Sequence, residues 1–115
     1  MSADRNTTRN GQAMRAQRFD LQLQLRYRSA GDPVWHDGRT ENISSTGVLF
    51  RGEELLQVET PIELRVILPI GAAETDHPEV FCHGRIVRTV PRTPADARPG
   101  LAASINDYQF GRVQA

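Results

Sequence analysis

The chain contains no lysine: all 14 basic residues are arginine, and 14 acidic residues bring the formal charge to zero. That balance argues against the broad cationic surface a duplex needs, so no nucleic-acid polymer is expected as a partner. Cysteine is almost missing as well. The one residue, Cys82, excludes an intramolecular disulfide and is expected as a small core residue in a reducing compartment. Aromatic residues make up only 6% of the chain, and Tyr27, Trp35 and Phe81 are too scattered to form the stacking platform of a single-strand binder. There is no long uninterrupted apolar run, and residues 1–10 are polar. Neither a membrane span nor a secretory signal is therefore expected, and the cytoplasm is the default compartment.

With 115 residues, 38% of them hydrophobic, the chain can bury one modest core. Residues 1–14 lack apolar periodicity and are expected to form a flexible arm, basic because between Met1 and Arg18 the cations Arg5, Arg9, Arg15 and Arg18 face only Asp4. From residue 21 the pattern changes. Leu21, Leu23, Leu25 and Tyr27 alternate with Gln22, Gln24 and Arg26, which is the period of a half-buried strand. A turn at residues 29–33 leads to a second strand over 34–41 with Trp35 as a partial core anchor. Val48, Leu49 and Phe50 form a short buried strand, followed by a loop with a helical turn near 53–56. Ile62, Leu64 and Val66 define a fourth strand, and Val80, Cys82, Gly84 and Ile86 a fifth, with Gly84 as a bulge or close-approach site. After the proline-rich loop 91–99, Leu101, Ala103 and Ile105 form the last strand. Residues 108–115 are read as a short tail whose Tyr108 and Phe110 seal the barrel end, leaving 15–107 as the domain. Six punctuated strands without a long amphipathic helix argue an all-β barrel or sandwich, and closure into a barrel best removes exposed edges.

The polar turn Asn42-Ile43-Ser44-Ser45-Thr46-Gly47 stands just before the apolar run at Val48. Short side chains at Asn42 and Ser44 hydrogen-bond without blocking the backbone, and Gly47 can take a positive φ and let a flat ligand lie close. Upstream, Arg15 and Arg18 precede the first alternating segment. Together these features resemble the PilZ domain family, receptors for the bacterial second messenger cyclic di-GMP, whose signature is R-x-x-x-R followed by [D/N]-x-S-x-x-G. The second element is intact as Asn42, Ser44 and Gly47. In the first, Arg15 is one residue too close to Arg18, and Met14 occupies the place four before it. Arg5 and Arg9 have the arginine spacing but lie too far upstream.

The resemblance implies a six-stranded antiparallel barrel, in agreement with the count from periodicity, and a cyclic di-GMP site built from Arg15, Arg18, Asn42, Ser44 and Gly47. In that implied site Arg18 takes the second arginine's role, Asn42 and Ser44 hold a guanine or phosphate edge, and Gly47 permits close packing. Arginine's planar fork suits phosphate oxygens and guanine edges, and its face stacks on a base. No cofactor is implied. The partners would be cyclic di-GMP and an effector protein that receives the signal; the alternative is a PilZ-like interaction adaptor that does not bind the nucleotide. An enzyme is not expected. Cys82 and His83 are strand neighbours facing opposite ways, and His36 and His77 lack metal-ligand spacing.

Overall fold

A computed structural model describes residues 17–69 and 76–114. Six strands follow in chain order: β1 (Gln24–Ser29), β2 (His36–Ile43), β3 (Gly47–Gly52), β4 (Pro61–Ile67), β5 (Asp76–Val90) and β6 (Gly100–Gln114). They close into one antiparallel barrel in the spatial order β1-β2-β3-β6-β5-β4, with β4 returning to β1. The expected barrel is thus the observed fold. Arg15, Met14 and the arm over residues 1–14 lie outside the described residues.

Strand alternation works here because one face of every strand looks into the barrel. Leu25, Val48, Phe50, Leu64, Val66, Ile86 and Leu101 all point inward and are buried, while Leu23 is only partly buried against them. Cys82 joins the core as expected. Tyr27 is fully buried, and its hydroxyl closes one end of the barrel by donating to the Glu54 carbonyl (2.5 Å) and accepting from the Glu54 N–H (2.7 Å).

Burial pushes the Tyr27 hydroxyl up to about 12 and the Cys82 thiol up to about 11. Both groups are neutral in the fold at a pH where the unfolded chain has begun to ionise. Above the ordinary thiol value of 9.0 the unfolded state binds fewer protons than the native one. Stability is therefore complete below that pH and falls as pH rises towards 12, by on the order of 2 kcal/mol per group. Thermal melts between pH 8 and 11 test this: the expected result is a falling Tm with a shallower slope in Tyr27→Phe, and a flat profile would contradict it.

Several boundaries differ from the sequence reading. Trp35 does not anchor the core; it lies outside the barrel, with the Arg28 guanidinium 4.3 Å and that of Arg65 5.6 Å from its ring centroid. The loop between β3 and β4 contains no helical turn at 53–56, only a bend at Glu53 and Glu54, and turns at Val58 and Glu59, the latter with φ 78°. The tail expected over 108–115 is a correction of substance. β6 runs on to Gln114, paired with the first half of β5 through Cys82↔Tyr108, Val80↔Phe110 and beyond. Tyr108 and Phe110 do not seal the barrel. They remain 48% and 72% exposed and line one wall of an apolar cavity of about 220 Å³ together with Val66, Val80 and Ile105.

One buried cation secures the loop between β5 and β6. Arg51, 8% exposed, donates from Nε to Glu41 (2.8 Å) and from Nη1 to the carbonyls of Pro91 and Arg98, both at 3.2 Å. Asp96 stands 3.5 Å from the same Nε. The guanidinium thus has carboxylate and carbonyl partners that offset its desolvation.

Candidate functional site

Chain entry determines where Arg18 stands. Residues 19–23 do not extend β1 as a regular strand but run as a strap along the end of β2. Phe19 and Ile43 exchange two backbone hydrogen bonds (2.9 and 3.0 Å), and the Thr40 N–H donates to the Leu23 carbonyl at 2.9 Å. The fully buried Thr40 hydroxyl secures the middle, accepting from the Leu23 N–H at 2.9 Å and donating to the Leu21 carbonyl. A buried hydroxyl must find partners, and here it finds them in the strap. Arg18, one residue before the Phe19 bridge, is thereby delivered beside the Asn42–Gly47 turn.

The turn is organised by Ser44. Its Oγ accepts from the N–H groups of Gly47 (3.1 Å) and Thr46 (3.2 Å), while the Ser44 N–H donates to the Gly47 carbonyl at 2.9 Å. Ser44 is therefore a turn-former as well as a candidate ligand contact. The expectation of positive φ at Gly47 does not hold; among the described residues the glycine in that region is Gly31, with φ 88°. Gly47 instead sits close to β6, where a Cβ would come within 3.1 Å of the Ala103 carbonyl oxygen, a tight contact.

Arg18, Asn42, Ser44 and Gly47 line one open cavity of about 480 Å³, a volume within the usual range of small-molecule sites. Its floor is the outer face of the barrel, with Leu49 of β3, Ala102 of β6 and Val87 of β5. The registers Asn42↔Leu49, Leu49↔Ala102 and Ala102↔Arg88 place these residues in one row across four adjacent strands. The small Ala102 beside Leu49 leaves a shallow apolar floor in the row, a trough that suits the face of a planar ring.

Arg88 borders the same cavity and was not visible in the sequence. Alternation through Gly84 and Ile86 assigns position 88 to the inner face. The register shift between Ile86 and Arg88 breaks that phase, so that both Val87 and Arg88 face the trough. No residue type at 86–88 announces the bulge.

The neighbouring outer face is chemically different. Along the register Arg28↔Glu63↔His83↔Asp107, Arg28 pairs with Glu63 at 2.7 Å, and His83 lies 3.0 Å from Asp107 and 3.6 Å from Glu63. Polar groups there are engaged with one another. His83 faces outward while Cys82 is buried, so the two do not form a dyad. Among the described residues no group of three or more His, Cys, Asp or Glu is placed to hold a metal ion.

Residues 12–109 match the sequence model of a family described as the PilZ domain. No curated protein matches the chain. Among solved structures, the Bacillus subtilis inhibitor of motility (MotI/DgrA) is similar in fold, with a TM-score of 0.64 and 13% identity. The alignment covers 90% of this chain and 45% of that one, so the chain spans less than half the length of that protein.

Proposed function

Since the chain belongs to the PilZ domain family, we propose that it is a receptor and adaptor for cyclic di-GMP that relays the signal to an effector protein. The observation that carries this reading is the convergence of Arg18, Asn42, Ser44 and Gly47 on one cavity above a flat apolar floor. Cyclic di-GMP offers two phosphates and two guanines. The Arg18 fork can pair with a phosphate or with guanine O6 and N7, Asn42 and Ser44 present short donors and acceptors, and the Leu49–Ala102 floor accepts a purine face. Nothing in this arrangement supplies a nucleophile with a base beside it, and the role proposed is binding and relay.

Calorimetric titration with cyclic di-GMP tests the reading. The expected result is saturable binding that Arg18→Ala weakens about ten- to a hundredfold, the loss of one charge-assisted contact. Arg18 is exposed and has no ion pair among the described residues, so the melting temperature of the unliganded variant should match that of the parent. Ser44→Ala should weaken binding too, but with a stability loss of about 0.5–1.5 kcal/mol, because its hydroxyl holds the turn. Met14 in place of the family's first arginine favours a second reading, a ligand-independent adaptor. If neither the parent nor Met14→Arg binds at high micromolar ligand while folded, the adaptor reading replaces the receptor.

A further inference from the structure

We infer that Arg88 supplies the second cation of this site from within the sheet, in place of the arginine absent at position 14; the inference rests on the cyclic di-GMP reading above. Three observations converge on it. First, Arg88 terminates the row Asn42–Leu49–Ala102–Arg88, three strand spacings from Asn42, or about 14 Å at 4.7–4.9 Å per strand. Asn42 with Arg18 thus stands at one end of the trough and Arg88 at the other, with the apolar floor between. A ligand carrying two phosphates and two flat bases presents anionic and planar parts over a comparable span.

Second, Arg88, like Arg18 in the same cavity, has no carboxylate partner among the described residues. Arg28, Arg51, Arg65 and Arg85 each have a carboxylate within 3.5 Å. Arg88 is exposed and, among the described residues, makes neither an ion pair nor a side-chain hydrogen bond. Its five donors are available to a ligand.

Third, the β-bulge between Ile86 and Arg88 is what directs this side chain to the trough. A bulge costs ladder hydrogen bonding, and such features commonly re-aim a side chain beside a binding site. The small side chain of Ala102 then leaves the space between Leu49 and Arg88 unfilled, so the guanidinium can lie over the trough and pair with a phosphate or a guanine edge. A cation mounted on a paired strand is also better preorganised than one on a terminal arm, so less ordering entropy is lost on binding.

The test is calorimetric titration of the parent chain, Arg88→Ala and Arg88→Lys with cyclic di-GMP, alongside melts of the unliganded proteins. The expected result is a Kd about ten- to a hundredfold higher for Arg88→Ala, little recovery in Arg88→Lys because an ammonium lacks the planar fork, and unchanged melting temperatures. Parent binding with an Arg88→Ala affinity within twofold overturns the role of Arg88 and leaves the receptor reading standing. Absence of binding by the folded parent overturns both. Weakening in Arg88→Ala that comes with a melting temperature lowered by several degrees assigns the residue to the fold and overturns the inference.

Discussion

Replacing Leu64 by alanine is expected to cost about 2–5 kcal/mol of stability. Leu64 is fully buried on β4, opposite Tyr27 of β1 and Cys82 of β5, so three inward side chains form one layer across adjacent strands. Removing three carbon atoms from the middle of that layer forfeits their transfer free energy and leaves a void. Closing the void would require paired strands to move together, and the barrel's continuous hydrogen bonding resists this. For a domain of this size the loss corresponds to a fall in Tm on the order of ten degrees or more. Equilibrium urea unfolding measures it directly. A cost below about half a kcal/mol would mean that β4 presents its other face to the core.

Gly84→Ala should be at least as damaging, about 3 kcal/mol or more, by a different mechanism. At this point β5 passes from His83↔Asp107 to Gly84↔Ile105, so Asn106 of β6 is left without a directly opposed partner. The bulge brings the two backbones so close that a Cβ on Gly84 would overlap the Ser104 carbonyl oxygen. No rotamer change relieves a clash with main chain; a strand has to shift. Gly111 on the same ribbon is the control, because a Cβ there meets nothing within 4 Å. Gly111→Ala is expected to melt within a degree or two of the parent, and equal losses at the two positions would remove close approach as the explanation.

The contrast between these glycines marks how far the residues could be read before the fold was seen. Gly84 interrupts a run of alternating apolar residues, and an interruption of that kind is informative: it gave a bulge or close approach, which is what occurs. Alternation likewise located Leu25, Leu64, Val66 and Ile86 in the core, because a strand with one buried face leaves no other phase available. It failed where tertiary partners break the phase. The bulge before Arg88 leaves no trace in residue type, so strict alternation does not bring this cation to the cavity it borders. Leu21 and Leu23 continue the pattern of β1, yet the Thr40 hydroxyl binds their backbone and makes them a strap. For residues 107–111 the signal was present and undervalued: Tyr108 and Phe110 alternate with Asp107, Gln109 and Gly111, as in any strand. At the candidate site the polar turn stood out in the sequence and the family resemblance joined Arg18 to it, whereas the second use of Ser44, as keeper of the turn, depends on hydrogen bonds only the fold supplies.

The strap has a consequence beyond the placement of Arg18. β1 covers β2 only from His36 to Arg39, so the stretch from Thr40 to Ile43 would otherwise present bare N–H and C=O groups to any passing chain. Such a segment is a template for association. Phe19, Leu23 and the Thr40 hydroxyl occupy it from within the same molecule. A truncation beginning after Leu23 would remove Arg18 from the cavity and unmask a sticky border in one stroke, so self-association of such a fragment would be confounded with loss of the proposed ligand contact. The entry of the chain is thus at once part of the candidate site and a guard against aggregation.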